Sequence, residues 1–190
     1  SRAVGGANGA NRLSGNAITE AFVFGRRAGQ AAADLAKRTE TNAAPADNEQ
    51  ALIDLIGAPA PQRELNTAAM VEKLQATMQD DVGALRDETK LKRALETINT
   101  MAAELGDQPQ GDGHRFDMRR IDWFDLRNML LVAKTVAQAA LARTETRGAQ
   151  HREDYPEISP DWACNQFIDL NDGDITLSRR AVPAQAAVIS

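Results

Sequence analysis

Apolar residues recur at helical spacing in three successive stretches in the middle of the chain. The clearest stretch covers residues 88–105, where the stripe advances by three or four residues and Gly106 follows as a stop. Its members are Leu91, Leu95, Ile98, Met101 and Leu105. Similar stripes run through about 64–86 and 122–147. Because the links are short, the pattern predicts a three-helix up-down-up bundle, like a spectrin repeat, over residues 63–147.

A further helix is predicted ahead of the bundle, from about Asn16 to residue 38. Gly25, Gly29 and Ala33 lie four residues apart in it, so that one side can approach a neighbour closely. Such a helix is typical of packing against a sheet, and no sheet of that kind is predicted here. We therefore assign residues 1–42 to a loop and helix of an α/β domain. Residues 43–62 hold three of the seven prolines and are predicted to be a linker with one short helical turn near Leu52.

The tail, residues 148–190, changes to the period of a strand. The segments WACNQFIDL and DITLSRRAV each alternate between apolar and polar residues, and NDGD lies between them. Asn-Asp-Gly-Asp is a strong turn signal, so the tail is predicted to form a small β-hairpin. A lone hairpin is marginal in water and must pack against something else. The fold class is therefore mainly α with a terminal hairpin.

The charge, the length of the apolar runs and the cysteine count exclude several classes of function. The net charge of −5 argues against a nucleic-acid binder, which needs clustered positive charge. No apolar run approaches the roughly 20 residues that cross a bilayer, so direct membrane insertion is not expected. The single cysteine, Cys164, excludes an internal disulfide and a multi-cysteine metal or iron–sulfur site, and we expect no metal. A cytoplasmic location is expected. The chain opens at Ser1 without a signal peptide pattern, which we interpret as the middle of a longer protein.

Two segments carry a family resemblance. GGANGANRLSGNAITEAFVFGRRAG, at 5–29, resembles the H-G-A-N-R-L-G-G-N-S-L segment of succinate dehydrogenase and fumarate reductase flavoproteins. RTETRGAQHREDYPE, at 143–157, is similar to the R-T-E-S-R-G-A-H-x-R-x-D-x-P segment of that family, and DWACNQF and RRAV continue the likeness. Two motifs in the right order and at the right distance are more specific than either alone. L-aspartate oxidases and adenylylsulfate reductases are relatives, so the subfamily stays open.

The resemblance implies the C-terminal part of an FAD-dependent oxidoreductase that transfers hydride between flavin and a small dicarboxylate. The N-terminal FAD-binding and capping portion is then a required partner, because no G-x-G-x-x-G fingerprint occurs here. An iron–sulfur electron-transfer subunit is a second candidate partner, through which the protein would lie peripherally at a membrane. The fragment is expected to be inactive alone. The alternative is a helical interaction or scaffold module without redox activity.

Arg12 is the first candidate site residue. It matches the arginine that in the family holds a carboxylate of the dicarboxylic acid beside the flavin. A guanidinium grips a carboxylate through two parallel hydrogen bonds and does not lose its proton. The alternative is an ordinary loop arginine that pairs with a nearby acid. The resemblance also gives a cofactor-binding set around the loop and the start of the helix: Gly9, Ala10, Asn11, Leu13, Asn16, Ala17 and Ile18.

Some positions depart from the family pattern or invite a more ordinary interpretation. Asn8 replaces a common histidine, which leaves the substrate in doubt. His151 lies one place after the family's histidine, where Gln150 stands, so we expect a hydrogen-bonding role rather than catalysis. Arg152 and Asp154 are expected to form an ion-pair network between domains. The tryptophans are expected to be packing residues, His114 to be solvated, and Cys164 to be buried.

Overall fold

The computed structural model describes residues 14–39, 47–61, 63–112, 114, 116–171 and 174–182. Within these residues the chain is mainly helical and ends in a two-stranded hairpin, as predicted. The elements are α1 Ser14–Arg38, α2 Asp47–Gly57, α3 Thr67–Asp81, α4 Glu88–Leu105, α5 Met118–Ala142, a 3₁₀ turn Pro160–Trp162, β1 Cys164–Asn171 and β2 Asp174–Ala181. They divide into two compact units, one up to Ile53 and one from Asp54.

Helix α1 carries an exposed apolar stripe. It begins two residues before the predicted start, and Lys37 and Arg38 in its last turn complement the negative end of the helix dipole. Phe22 is 77% exposed, and Ile18 and Leu35 are exposed as well. A stripe of this kind is what a helix presents when it is built to pack against another part of a protein.

Helix α2 corrects one expectation. The linker was predicted to hold a single helical turn near Leu52, whereas the structure has an 11-residue helix, Asp47–Gly57. The three prolines of this region flank the helix and do not interrupt it, so each residue inside it keeps its backbone donor.

Side-chain caps set where the bundle helices begin. The side chains of Asn66, Asp87 and Asp117 accept hydrogen bonds from backbone N–H groups in the first turns of α3, α4 and α5, at 3.0, 2.8 and 3.0 Å. The predicted bounds of α4 are therefore met, and Gly106 ends it at φ +70°. Helix α3 is shorter than the predicted 64–86, and α5 lies earlier than 122–147 because Asp117 caps it.

Helices α3, α4 and α5 each contact the other two and enclose the core of the second unit. Trp123 is fully buried and its indole N–H donates to the carbonyl of Leu105 at 3.4 Å, so its expected packing role is confirmed. Leu85 lies beyond the end of α3 at Asp81 and is exposed. The buried apolar residues of the three helices and their links are Met70, Leu74, Val82, Leu91, Ala94, Ile98, Met101, Leu105, Trp123, Leu126, Leu130, Ala133, Ala137 and Ala140.

The hairpin pairs β1 with β2 in antiparallel register, from Cys164 opposite Ala181 to Asn171 opposite Asp174. It rests on the end of α5, where the side-chain amide of Gln166 donates to the carbonyl of Ala139 at 3.1 Å. The hairpin therefore gains the support that an isolated pair of strands lacks.

Candidate functional site

The first motif lies mostly outside the described residues. Arg12 and the loop residues Gly9, Ala10, Asn11 and Leu13 are not described, and Asn16 and Ala17 are described only as part of the first turn of α1. Ile18, the last of the predicted set, is exposed.

The described backbone fits the expected cofactor role in one respect. Helix α1 begins at Ser14, so its N-terminus follows Arg12 by two residues in the sequence. The first four N–H groups of a helix have no acceptor within the helix, and the dipole is positive there. This end of α1 can therefore stabilise negative charge, such as the charge that gathers at N1 and the C2 oxygen of a reduced flavin.

The second motif is described in full, and Glu145 is its centre. Glu145 is completely buried and accepts hydrogen bonds from Arg143, from Arg147 Nε at 2.8 Å and Nη2 at 3.0 Å, and from the backbone N–H of Ser159 at 2.9 Å. Burial by itself would raise the pKa of Glu145, but the hydrogen bonds from Arg147, Ser159 and Arg143 outweigh it and lower the pKa to about 2.

Arg152 is the second buried charge of the motif, only 1% exposed. Its Nη1 donates to the carbonyls of Ala140 and Leu141 at 3.0 Å and of Arg143 at 3.2 Å. The last carbonyls of a helix lack hydrogen-bond donors within the helix and carry the negative end of its dipole. Arg152 therefore caps the C-terminus of α5 with a positive charge. Its Nε and Nη2 both bind the carboxylate of Asp154, each at 2.7 Å.

Asp154 extends this pair to a second helix end. Its Oδ2 accepts from the backbone N–H of Glu88, the first residue of α4, at 2.9 Å. The hydrogen bonds from Arg152 are the main reason that the pKa of Asp154 falls to about 2. The pair thus joins the C-terminus of α5 to the N-terminus of α4. We expected an ion-pair network between domains, and instead both helix ends belong to the same compact unit.

Arg143 connects the motif to the hairpin. It donates to the carbonyl of Trp162 at 3.1 Å and to that of Cys164 at 2.9 Å. Its guanidinium lies 5.0 Å from the centre of the Trp162 ring, and Arg179 of β2 lies 3.4 Å from the same ring. Trp162 is buried and donates to Thr144, so its expected packing role is confirmed. We call Arg143, Glu145, Arg147, Arg152 and Asp154 the arginine–carboxylate cluster.

The remaining candidates have ordinary surroundings. His151 is exposed and its carbonyl accepts from the backbone N–H of Arg86 at 3.4 Å. His114 is exposed in the loop before α5, as expected for a solvated side chain. Cys164, expected to be buried, is half-buried in β1. In the described part of the chain, no three His, Cys, Asp or Glu side chains are grouped as a metal site would require.

Sequence reasoning missed Glu145 and Arg120 as buried charges. Glu145 had a signal, because an acid two residues from an arginine on either side can bind both of them. Arg120 had none. It is buried and donates to the carbonyls of Ile56, Ala58 and Gly111, the last two at 2.8 and 3.2 Å, which fastens residues 56–58 to the start of α5.

The charged groups of the arginine–carboxylate cluster bind one another and backbone groups at the ends of helices and in the tail. Its carboxylates are each engaged by arginines and a backbone N–H, and each arginine has protein acceptors. The second motif is therefore a structural element that joins two helix ends and the hairpin, and the segment at 5–18 remains the candidate for substrate and cofactor.

The lowered pKa of Glu145 predicts a pH dependence of stability. The pKa falls from its usual 4.5 to about 2 on folding, so the unfolded state binds more protons between these values. The stabilisation is present in full above about pH 4.5. It is lost as the pH falls toward 2.

We expect Glu145→Gln to be less stable than the parent at pH 7 and this difference to shrink steadily below pH 4.5. Urea unfolding followed by circular dichroism at several pH values measures the free energy of unfolding of the parent and of the variant. A difference independent of pH would show that ionisation of Glu145 does not contribute.

Comparison with known proteins gives the family. The profile described as "Fumarate reductase flavoprotein C-term" matches residues 71–188. The fumarate reductase (CoM/CoB) of Methanothermobacter marburgensis includes a chain that is 35% identical over 161 residues, which are 83% of this chain and 29% of that protein. An L-aspartate oxidase of Rhodospirillum rubrum is 39% identical over 156 residues, 82% of this chain and 47% of that protein.

The solved structures agree with these relatives. The Mycobacterium smegmatis Sdh1 complex in the apo form contains a chain that matches 93% of this one at 31% identity with a TM-score of 0.77, and the match covers 31% of that chain. The present chain thus spans less than half the length of each of these proteins. No helix in the described segments is long and apolar enough to cross a membrane.

The expectation drawn from the two motifs is therefore confirmed at the level of the family, and with it FAD as the cofactor of the intact protein. The match lies over α3, α4, α5, the arginine–carboxylate cluster and the hairpin. The chain belongs to the family formed by the C-terminal region of fumarate reductase and succinate dehydrogenase flavoproteins.

Proposed function

We propose that this chain is the C-terminal portion of an FAD-dependent oxidoreductase that transfers hydride between flavin and a small dicarboxylate. One observation carries the proposal: the G-A-N-R-L sequence directly precedes the N-terminus of α1, in a chain whose residues 71–188 match the flavoprotein family. FAD, when bound in the intact protein, supplies the site that accepts or donates the hydride.

Arg12 binds and polarises the substrate in this proposal. Its guanidinium holds one carboxylate of the dicarboxylate through two hydrogen bonds and withdraws electron density from the adjacent carbons. The carbon–carbon double bond of an unsaturated substrate thereby becomes a better hydride acceptor. A fixed charge in a site from which water is excluded needs no reorganisation during the reaction.

The residues around Arg12 hold the flavin. Gly9, which has no Cβ, lets the backbone pass close to a flat ring system, and Ala10, Asn11 and Leu13 complete the part of the set that precedes α1. Asn16, Ala17 and Ile18 lie in the first turns of α1 and offer the helix N-terminus to the side of the ring that gains negative charge.

The second unit contributes a helical bundle that braces the N-terminal FAD-binding portion of the intact protein. We propose that α3, α4 and α5 form the up-down-up, spectrin-repeat-like bundle over residues 63–147, after a linker at 43–62 and before the tail at 148–190. The exposed apolar stripe of α1 then packs against the N-terminal FAD-binding and capping portion. An iron–sulfur subunit is the proposed electron partner, and through it the protein lies peripherally at a membrane from the cytoplasmic side.

The substrate defines a second candidate function. The similarity to an L-aspartate oxidase leaves an amino dicarboxylate as an alternative to succinate or fumarate, and Asn8, where histidine is common in the family, favours testing it. Both substrates present carboxylates that Arg12 can bind. Family membership argues against a scaffold without redox activity.

Production of the intact flavoprotein tests the proposal. We expect a yellow protein that contains FAD and turns over succinate, fumarate or L-aspartate with an artificial electron donor or acceptor. The 190-residue chain by itself is expected to bind no flavin and to show no turnover, since it lacks the dinucleotide-binding fingerprint. A colourless intact protein, or turnover by the 190 residues alone, would contradict the proposal.

A further inference from the structure

A cleft on the side of the bundle combines an apolar floor with two positive charges at its lining. Its volume is about 320 Å³, and it lies between α4 and α5 with Leu170 of β1 at its edge. The floor is formed by the buried residues Ile98, Leu105 and Leu130. A cleft of this size falls within the range of pockets that bind small ligands.

The two basic side chains of α5 that line this cleft are those without a carboxylate partner among the described residues. Helix α5 carries four basic residues. Arg119 pairs with Glu64, and Arg120 is held by backbone carbonyls. The other two, Arg127 and Lys134, have no carboxylate within ion-pair distance among the described residues, although the chain contains 27 acidic residues against 22 Lys and Arg. Both line the cleft.

The spacing of these cations suits one ligand class. Seven residues along a helix place Arg127 and Lys134 about 10.5 Å apart on the same side. Asn99 and Asn128 add amide donors to the lining. We propose that this cleft binds an amphipathic carboxylate, with the apolar chain on the leucine and isoleucine floor and the carboxylate between the two cations.

A negative charge at one end of the cleft determines which of the two cations contributes more to binding the carboxylate. Asp107 lines the cleft next to the C-terminus of α4, where the helix dipole is negative. Because Trp123 near the start of α5 donates to Leu105 at the end of α4, the two helices run antiparallel and Arg127 lies nearer to that end than Lys134. The carboxylate therefore lies closer to Lys134.

Three probes, each tested with the full 190-residue chain, separate the contribution of the apolar tail to binding from that of the carboxylate charge. Octanoate supplies tail and charge, octyl glucoside a similar tail without charge, and acetate the charge alone. Titrations below micelle-forming concentrations, followed by two-dimensional amide NMR, give the dissociation constants and the location. We expect octanoate to bind at least about fivefold more tightly than either control, with shifts at Asn99, Leu131 and Leu170.

Substitutions identify the charges. Lys134→Gln is expected to weaken octanoate binding about fivefold and Arg127→Gln less, since each removes one partly exposed charge contact. Lys73→Gln, on the exposed side of α3, is the matched control and should leave binding unchanged. Equal binding of octyl glucoside and octanoate would overturn the proposal. So would shifts confined to another surface, or affinity unaffected by both Lys134→Gln and Arg127→Gln.

Discussion

Replacing Arg152 with alanine is expected to destabilise the second unit by about 2–4 kcal/mol. The substitution leaves the carboxylate of Asp154 without its bidentate partner and removes the positive cap from the last carbonyls of α5. The carbonyls at the end of α5 lose a donor inside the protein, which costs more than the hydrogen bonds themselves contribute, whereas Asp154 is exposed to solvating water. Urea unfolding followed by circular dichroism measures the loss.

Two controls separate geometry from charge. Arg152→Lys keeps a positive charge but loses the planar fork that binds Asp154 and three carbonyls together, so we expect an intermediate loss. Arg63→Ala removes an arginine whose ion pair with Glu104 is exposed, and the loss should stay below about 1 kcal/mol. If Arg152→Ala were no more destabilising than Arg63→Ala, the proposed joining of α4 to α5 through Arg152 would be wrong.

The helices were predictable because their signals are local. The stripe of α4 and the capping Asp87 lie within a few residues of one another, and the predicted bounds agree with the structure. The hairpin likewise follows from alternation around Asn-Asp-Gly-Asp. Helix α2 was predicted too short, as a single turn, because prolines on both sides of a short apolar run favour a linker interpretation, although none of them lies inside the helix.

The arginine–carboxylate cluster was only partly predictable. The motif gave the residues, but their partners are backbone groups that the fold brings near. Arg152 is 12 residues from Ala140 in sequence, and Asp154 is 66 residues from Glu88. Helix ends have unsatisfied backbone groups in every protein, so a sequence does not tell which distant side chain will satisfy them. Arg120 illustrates the same point, since its acceptors after α2 carry no side-chain signature.

Arg12→Ala in the intact flavoprotein is expected to lower turnover by a factor of about 100 or more. An oriented guanidinium that faces developing charge in a dry site contributes several kcal/mol, and a methyl group replaces none of it. Arg12→Lys retains the charge without the two parallel hydrogen bonds and should fall between the parent and the alanine variant. Steady-state kinetics should show a lower kcat as well as a higher KM, because Arg12 is proposed to act on the reacting carbons and not only in binding.

Flavin content separates this effect from simple loss of the cofactor. Arg12→Ala should retain its FAD, measured by absorbance after denaturation, since the loop backbone and the first turn of α1 stay in place. Arg26→Ala, an exposed arginine farther along α1, is the matched control and should keep parental turnover. Unchanged turnover in a fully flavinated Arg12→Ala protein would remove Arg12 from the mechanism. Because the family match at 71–188 does not depend on residue 12, the family assignment would survive that result.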